Sequence, residues 1–292
     1  MTLLPRLKPD PVPPVRTVSE AMATGALKAA YDDTKAVLGV PWMGVVTMAF
    51  AQHETFYATL WGGLRPLAGS TAFAGACDDL RTAAKAEAAA LHRRPLADEL
   101  LGMGYTTAEI DEIRGLVEVF SRGNMPYVLI ATAARLLLEG HPIGKPGPIG
   151  PAAPASPVAG PGEPLVLIEP HHAEASTRAV YADIRETLGL PFVNTDYRAL
   201  ARWPSYFGAA WAGLAPLVRS APYEPAVTRL HGEALRLLAE LPSPKDLTPG
   251  ALRASLGPVD PSALLDLVRL FQWLLPGLIL NVAILRAQLM PR

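Results

Sequence analysis

The sequence predicts an all-α protein made of two tandem helical repeats, and three observations carry that expectation. Apolar residues recur at helical spacing along most of the 292 residues and nowhere alternate with period two over a useful length. Residues 29–39 match residues 179–189 without a gap, Tyr31 falling on Tyr181 at an offset of 150 residues. The register persists beyond the next turn, where Trp61, Gly63, Leu64, Pro66 and Leu67 fall on Trp211, Gly213, Leu214, Pro216 and Leu217. A stretch dense in proline and glycine, from Gly144 to Pro164, can sustain neither helix nor sheet and separates the copies. The expected organisation is a first repeat over 1–143, a linker over 144–165 and a second repeat over 166–292.

Taken in order, a proline-rich lead runs to Pro14, after which Thr17 and Glu20 have the spacing of a capping box. Ala26, Leu27, Ala30, Tyr31 and Leu38 continue that helix until Gly39 and Pro41 end it. A helix from about His53 to Leu67 places Phe56, Leu60 and Leu64 on one face, with Pro66 and Gly69 as its stop. Ser70 caps an alanine-rich helix over Thr71 to His92, whose small side chains permit close packing. Thr106 or Thr107, with Glu109 and Asp111, starts a helix to about Ser121; Gly123 interrupts it, and an apolar helix resumes over Pro126 to Leu138.

The second copy repeats this order. A helix ends at Leu188 before a turn at Pro191, another begins at Thr195 and breaks near Pro204, and a third covers Ser205 to Val218. Helices from about Glu224 to Leu241 and from Ser262 to Met290 complete it. The most apolar stretch, Leu270 to Leu285, falls short of the roughly 20 residues a bilayer span needs and reads as a core helix.

Composition narrows the function. The formal net charge is −1 and Lys and Arg are scattered, so no nucleic-acid footprint is expected. Charges and prolines in the first ten residues occupy the place of a signal peptide's apolar core, which predicts a cytoplasmic protein with no membrane partner. Cys77 is the only cysteine, ruling out an internal disulfide or a CxxC pair, and its alanine-rich surroundings predict burial. His171 and His172 are adjacent, but no HExxH, hydrolase triad motif, GxGxxG or GxxxxGK[ST] occurs, so neither a metal nor a nucleotide cofactor is expected.

Three residues stand out as candidates. Asp196 begins a helix after Asn194 and Thr195, whereas Val46 holds the matching place in the first copy. Ordinary capping accounts for such an acid; held in an apolar interface near a helix start, it could also keep its charge and act on a water as a general base. One ionisable residue in only one copy suggests a single asymmetric site. Asn124, between Gly123 and Met125, either satisfies backbone at a helix break or touches a ligand. Trp42, after the Gly39–Pro41 turn, is by default core.

The chain resembles the group I 2-haloacid dehalogenases, which act on D- or on both D- and L-2-haloalkanoic acids. The resemblance rests on Leu38 to Trp42; on Gly104-Tyr105 with Glu109-Ile110 leading to Phe120 through Tyr127; on Thr195 through Pro204; and on the helix holding Phe271-Gln272. It covers nearly the whole chain and implies an all-helical fold with the two repeats packed as a pseudo-dimer. It also implies hydrolytic loss of halide with no cofactor, by direct attack of water and inversion at C2. Carried over, Asp196 is the base and Asn124 its partner in holding the water. Trp42 belongs to the halide and substrate pocket, with Thr195 and Tyr127 near the substrate. Thr195 stands where the family pattern has a serine, Val45 where it has an aromatic wall, and Phe271 where it has a tyrosine, so Val45 and Phe271 bear on pocket size and enantiomer preference.

That chemistry is coherent. Displacement next to a carboxylate needs a water aligned opposite the leaving group and a base at its proton. An indole N–H from Trp42 and the amide of Asn124 suit a halide, and the Asn194-Thr195 helix start suits the substrate carboxylate. The expected partners are a small halogenated acid and water, with a second copy of the chain as the one candidate macromolecular partner. Three other readings compete. The L-specific haloacid dehalogenases use an ester-forming aspartate after an N-terminal strand, which this N-terminus lacks. A helical alkylhydroperoxidase needs a cysteine pair, which Cys77 alone cannot supply. A non-catalytic helical small-ligand-binding or scaffold protein on the same fold is the remaining alternative.

Overall fold

The computed structural model describes residues 4–91, 94–154, 165–257 and 260–290. Among them the secondary structure is helical: α1 (Gly25–Leu38), α2 (Val45–Phe50), α3 (Glu54–Ala68), α4 (Thr71–Ala90), α5 (Ala97–Gly102), α6 (Thr107–Leu138), α7 (Ala175–Leu188), α8 (Thr195–Leu200), α9 (Pro204–Val218), α10 (Tyr223–Glu240), α11 (Pro249–Ala254) and α12 (Pro261–Gln288).

The helices α1, α2 and α3 begin and end 150 residues before α7, α8 and α9, the offset read from the sequence. The hydrogen bonds recur in the same register. Gly39 and Gly189 end α1 and α7 in the left-handed region, at φ 65° and 62°, and the next N–H, of Val40 or Leu190, reaches back to the carbonyl of Lys35 or Arg185. A β-carbon is strained at that φ, which is why both copies keep glycine there. The Tyr31 hydroxyl donates to the Val18 carbonyl at 2.9 Å, and the Tyr181 hydroxyl to the Ile168 carbonyl at 2.7 Å. The indole N–H of Trp61 donates to Asp33 and that of Trp211 to Asp183.

Local sequence accounts for most boundaries. Ser70 caps α4 by accepting the Phe73 N–H at 3.2 Å, and Ala76, Leu80, Ala84 and Ala88 form its buried row at i, i+4 spacing. Where α4 meets His92 lies outside the described residues. Thr106 and Glu109 close a capping box ahead of α6: the Glu109 carboxylate accepts the Thr106 N–H at 2.8 Å, and the Thr106 hydroxyl accepts the Glu109 N–H at 3.2 Å. Phe56, Leu60 and Leu64 on α3 are all buried, as their spacing predicts.

Several boundaries differ from expectation. α1 starts at Gly25, not Thr17, because Glu20 does not close a box; it accepts the Met43 N–H and pairs with Lys35 instead. α6 runs unbroken through Gly123 and Pro126. α3 likewise holds Pro66 within its last turn. The short helices α2, α5 and α11 have no counterpart in the sequence expectation; α11 is started by Thr248, whose hydroxyl accepts the Ala251 N–H at 3.1 Å, with Pro249 at the first helical position. Apolar α12 is 28 residues long, enough by length to cross a membrane, but 83% of its most apolar window is buried in the protein, so it is a core helix.

Contact density divides the chain into two compact units. One comprises Met1–Thr82, Arg122–Val158 and Arg229–Gly277, the other Ala83–Ser121, Ala159–Thr228 and Leu278–Arg292. Each draws segments from both halves of the sequence, so the units do not follow the repeat boundaries. In the first unit the described part of the linker holds no helix but is anchored: Lys145 exchanges backbone hydrogen bonds with Leu241 and Ser243, and Thr71 and Ala153 bond to Pro151 and Gly69.

Candidate functional site

Five of the candidate residues belong to the first unit. Trp42 is buried at 6% exposure in the turn between α1 and α2. Its carbonyl accepts the Tyr127 hydroxyl at 2.8 Å, and the two rings lie 6.3 Å apart at 51°. The far edge of the indole lies directly on α6: a Cβ placed on Gly123 would come 2.3 Å from Cη2 of Trp42. Gly123 is therefore required by the indole and is not a helix breaker. Gly44 plays a similar part, since a Cβ there would come 2.8 Å from the Tyr127 ring. Asn124 follows Gly123 on α6, three residues before Tyr127 and so on a neighbouring part of the helix surface, and is buried at 4%.

Tyr127 is fully enclosed, and burial pushes its phenol well above the ordinary range, so it remains a neutral donor at any physiological pH. Its hydroxyl is committed to Trp42, which makes it a support for the indole loop. Val45, the first residue of α2, is half-buried. Phe271 on α12 is buried and meets Phe50, the last residue of α2, edge to face at 6.1 Å and 90°.

The second unit holds Thr195 and Asp196, the first two residues of α8. Both are buried, Asp196 at 3% exposure. The Thr195 hydroxyl accepts Nη2 of Arg198 at 3.4 Å, and the same guanidinium pairs with Glu169 at 2.6 Å. Asn194 occupies the N-cap position in extended backbone, but its side chain makes no capping bond, and α8 has only six residues. The helix start is thus a weaker anion site than its sequence suggests. Beside Asp196, Tyr197 accepts Nδ2 of Asn281 at 2.9 Å, and Tyr223 donates to Oδ1 of the same amide at 2.8 Å. Burial first, and then the neighbouring Tyr223 and Asp196, raise the Tyr197 phenol well above its usual value, so Tyr197 stays neutral next to the acid. Asn281 was legible only as a polar residue inside an apolar helix.

The first unit also carries an open groove of about 910 Å³, with Lys35, Pro41, Phe73, Cys77, Arg122 and Pro126 among its walls. None of Trp42, Val45, Asn124, Tyr127 or Phe271 lines it, so it is distinct from the candidate residues. Cys77 is half-buried there, and burial, with Asp78 beside it, pushes the thiol well above the range in which it would ionise at neutral pH.

Residues 41–190 match the family described as "Halocarboxylic acid dehydrogenase DehI". An "(R)-2-haloacid dehalogenase" of Rhizobium sp. (strain NHG3) is 47% identical over 251 residues, covering 84% of this chain and 95% of the relative. A "2-haloacid dehalogenase, configuration-inverting" of Pseudomonas sp. (strain 113) is 26% identical over 222 residues, 73% of this chain and 71% of that protein. Among solved structures, "The complex structure of D-2-haloacid dehalogenase mutant with D-2-CPA" superposes with a TM-score of 0.88 at 35% identity, over 99% of each chain.

Proposed function

The chain belongs to the DehI family of 2-haloacid dehalogenases, hydrolases of carbon–halide bonds that invert the carbon they attack, and from that premise we propose how its residues carry the reaction. The substrate is a short (R)-2-haloalkanoate. A water attacks C2 from the side opposite the halogen, the new C–O bond forms as the C–halogen bond breaks, and halide leaves with the bonding pair. Asp196 accepts the proton that the water loses, so the products are the (S)-2-hydroxy acid, halide and a proton handed on to solvent. Asn124 orients the attacking water through its amide, and Trp42 lines the pocket that receives the halide, where a weak N–H donor in apolar surroundings suits a large, soft anion. Val45 and Phe271 bound the pocket, and Thr195 stands beside the base.

The observation that carries this reading is the burial of a carboxylate at position 196, where the register-matched residue of the first half is Val46. A buried acid present in one half only, at a place the other half fills with valine, points to a chemical use more than to a structural one. Val45, smaller than an aromatic wall, leaves room in the pocket for substituents longer than methyl.

A single turnover in heavy-oxygen water, with enzyme in excess of (R)-2-chloropropanoate, tests the mechanism. The expected result is label in the hydroxyl of (S)-lactate in the first turnover. An unlabelled first product, with label appearing in the Asp196 carboxylate on mass spectrometry, would establish an ester intermediate instead.

A further inference from the structure

We infer that Glu20 is a positioning residue for this reaction: it holds the Trp42–Met43 peptide group on the side that Tyr127 leaves open, and so fixes the indole that faces the leaving halide. The inference rests on the proposed role of Trp42. The Trp42 carbonyl accepts the Tyr127 hydroxyl at 2.8 Å, and the N–H of that same peptide group, on Met43, donates to Oε1 of Glu20 at 2.8 Å. One planar peptide is thereby gripped at both of its polar atoms, which removes the rotation about its flanking bonds that would swing the side chain. The second oxygen of Glu20 receives the Lys35 ammonium from α1, so the carboxylate is itself held in place. At the other end the indole edge is pressed on the bare backbone of Gly123.

The grip is not needed to make the turn. The second half forms the same left-handed glycine turn and the same return hydrogen bond after α7. In its register the places of Glu20, Trp42 and Tyr127 are taken by Pro170, Phe192 and Gly277, none of which offers a carboxylate or a phenol. Clamp and indole occur together in one half and are absent together from the other. Glu20 is also 37% exposed, so its charge is not there to complete a buried core.

The test uses Glu20→Ala, Glu20→Gln, Glu20→Asp and Trp42→Phe in the full chain, with (R)-2-chloropropanoate as the probe and exchange of the Met43 amide as a second readout. Glu20→Ala should lower kcat by about tenfold, the order expected for losing one charge-assisted hydrogen bond, with KM changed by less than about threefold. Its Met43 amide should exchange at least about tenfold faster, the signature of a hydrogen bond opened. Glu20→Gln keeps an oxygen for the Met43 N–H and should recover both readouts to within about threefold, whereas Glu20→Asp, shorter by one methylene, should behave like the alanine variant. Wild-type kcat in Glu20→Ala, or Glu20→Gln as slow as Glu20→Ala, would overturn the clamp while leaving the pocket intact. Wild-type kcat in Trp42→Phe would overturn the pocket role of the indole and this inference with it.

Discussion

Replacing Gly123 by alanine separates what α6 does for the fold from what it does for Trp42. The added Cβ would lie 2.3 Å from Cη2 and 2.9 Å from Cζ3 of the indole. Carbon atoms in contact sit about 3.5–4.0 Å apart, so the ring must retreat by about 1.2–1.7 Å. The backbone itself welcomes the change: Gly123 is inside α6 with no positive φ, and alanine in a helix is favoured over glycine by about 1 kcal/mol. Overpacking against a buried indole costs about 1–3 kcal/mol, so the two effects largely offset and the net loss of stability is about 0–2 kcal/mol.

Activity has no such compensation. Misplacing a group in a reaction site by about 1 Å costs on the order of 100-fold. Gly123→Ala is therefore expected to fold, to melt within several degrees of the wild type, and to release chloride from (R)-2-chloropropanoate about 100-fold more slowly in kcat/KM. Gly115→Ala is the internal control, since it lies in the same helix and its Cβ would meet nothing within 4 Å. It should be at least as stable as the wild type and fully active. A Gly123→Ala protein with kcat/KM within threefold of wild type would refute the view that the indole must rest on that backbone.

Two further outcomes are expected. Asp196→Asn should reduce halide release by at least about 10³-fold while the circular dichroism spectrum and melting temperature change little, because the amide keeps the shape and cannot take the proton; turnover near wild type would remove Asp196 as the base. His231 supplies a pH dependence of stability: it is buried, its Nδ1 faces the Gln272 amide nitrogen at 2.7 Å and its Nε2 faces the Leu4 carbonyl at 2.8 Å. Gln272 Oε1 is held by Arg135, so the amide presents its NH₂ to the imidazole and the histidine is the neutral tautomer with the proton on Nε2. Burial first, with Arg135 and Arg6 nearby, lowers its pKa below the ordinary value of 6.5. The unfolded chain thus binds a proton that the native state refuses, and stability falls as pH drops below about 6.5 toward the native pKa. Melting temperatures from pH 7.5 to 5 should show that fall, and a His231→Asn variant declining just as steeply would show that another group is responsible.

The parts legible in the sequence are those governed by neighbours along the chain. Ser70 and the Thr106–Glu109 box are satisfied within three residues, so their signals are local and they hold in the structure. Thr17 and Glu20 have the same spacing, yet the carboxylate is drawn to Lys35 and to the Met43 N–H, partners that only the folded chain brings near. Gly123 and Pro126 read as a break for the same reason: the local rule sees a missing Cβ and a missing N–H, and cannot see the indole for which the missing Cβ makes room. Asp196 was visible because the repeat provided its own comparison, Val46, within one sequence. The division into compact units was not visible, because each unit gathers segments that lie far apart along the chain.

The same internal comparison bears on why only one half carries the proposed base. Pro126 in α6 and Pro276 in α12 stand 150 residues apart inside their helices, so the register of the first helices extends to the last. In that register Asn124 corresponds to Leu274, Tyr127 to Gly277, Trp42 to Phe192, Thr195 to Val45, Asp196 to Val46 and Phe271 to Ser121. The proposed base, the water-holding amide and the indole each have a counterpart that lacks the group in question: valine for Asp196, leucine for Asn124 and phenylalanine for Trp42. Asp196 and Val46 are nonetheless buried alike, at 3% and 2% exposure, so the fold treats the two positions as equivalent. A carboxylate at such a position costs several kcal/mol unless it is compensated, and the compensation has to be built residue by residue around it. Tyr197, next to Asp196 in sequence, is tied through the Asn281 amide to Tyr223; the counterparts of these three in the first half are Thr47, Ala131 and Phe73, of which only Thr47 carries a side-chain hydroxyl, and that hydroxyl donates to its own helix start at Gly44. The first half fills the matching place with valine and, among the described residues, holds no such chain around it.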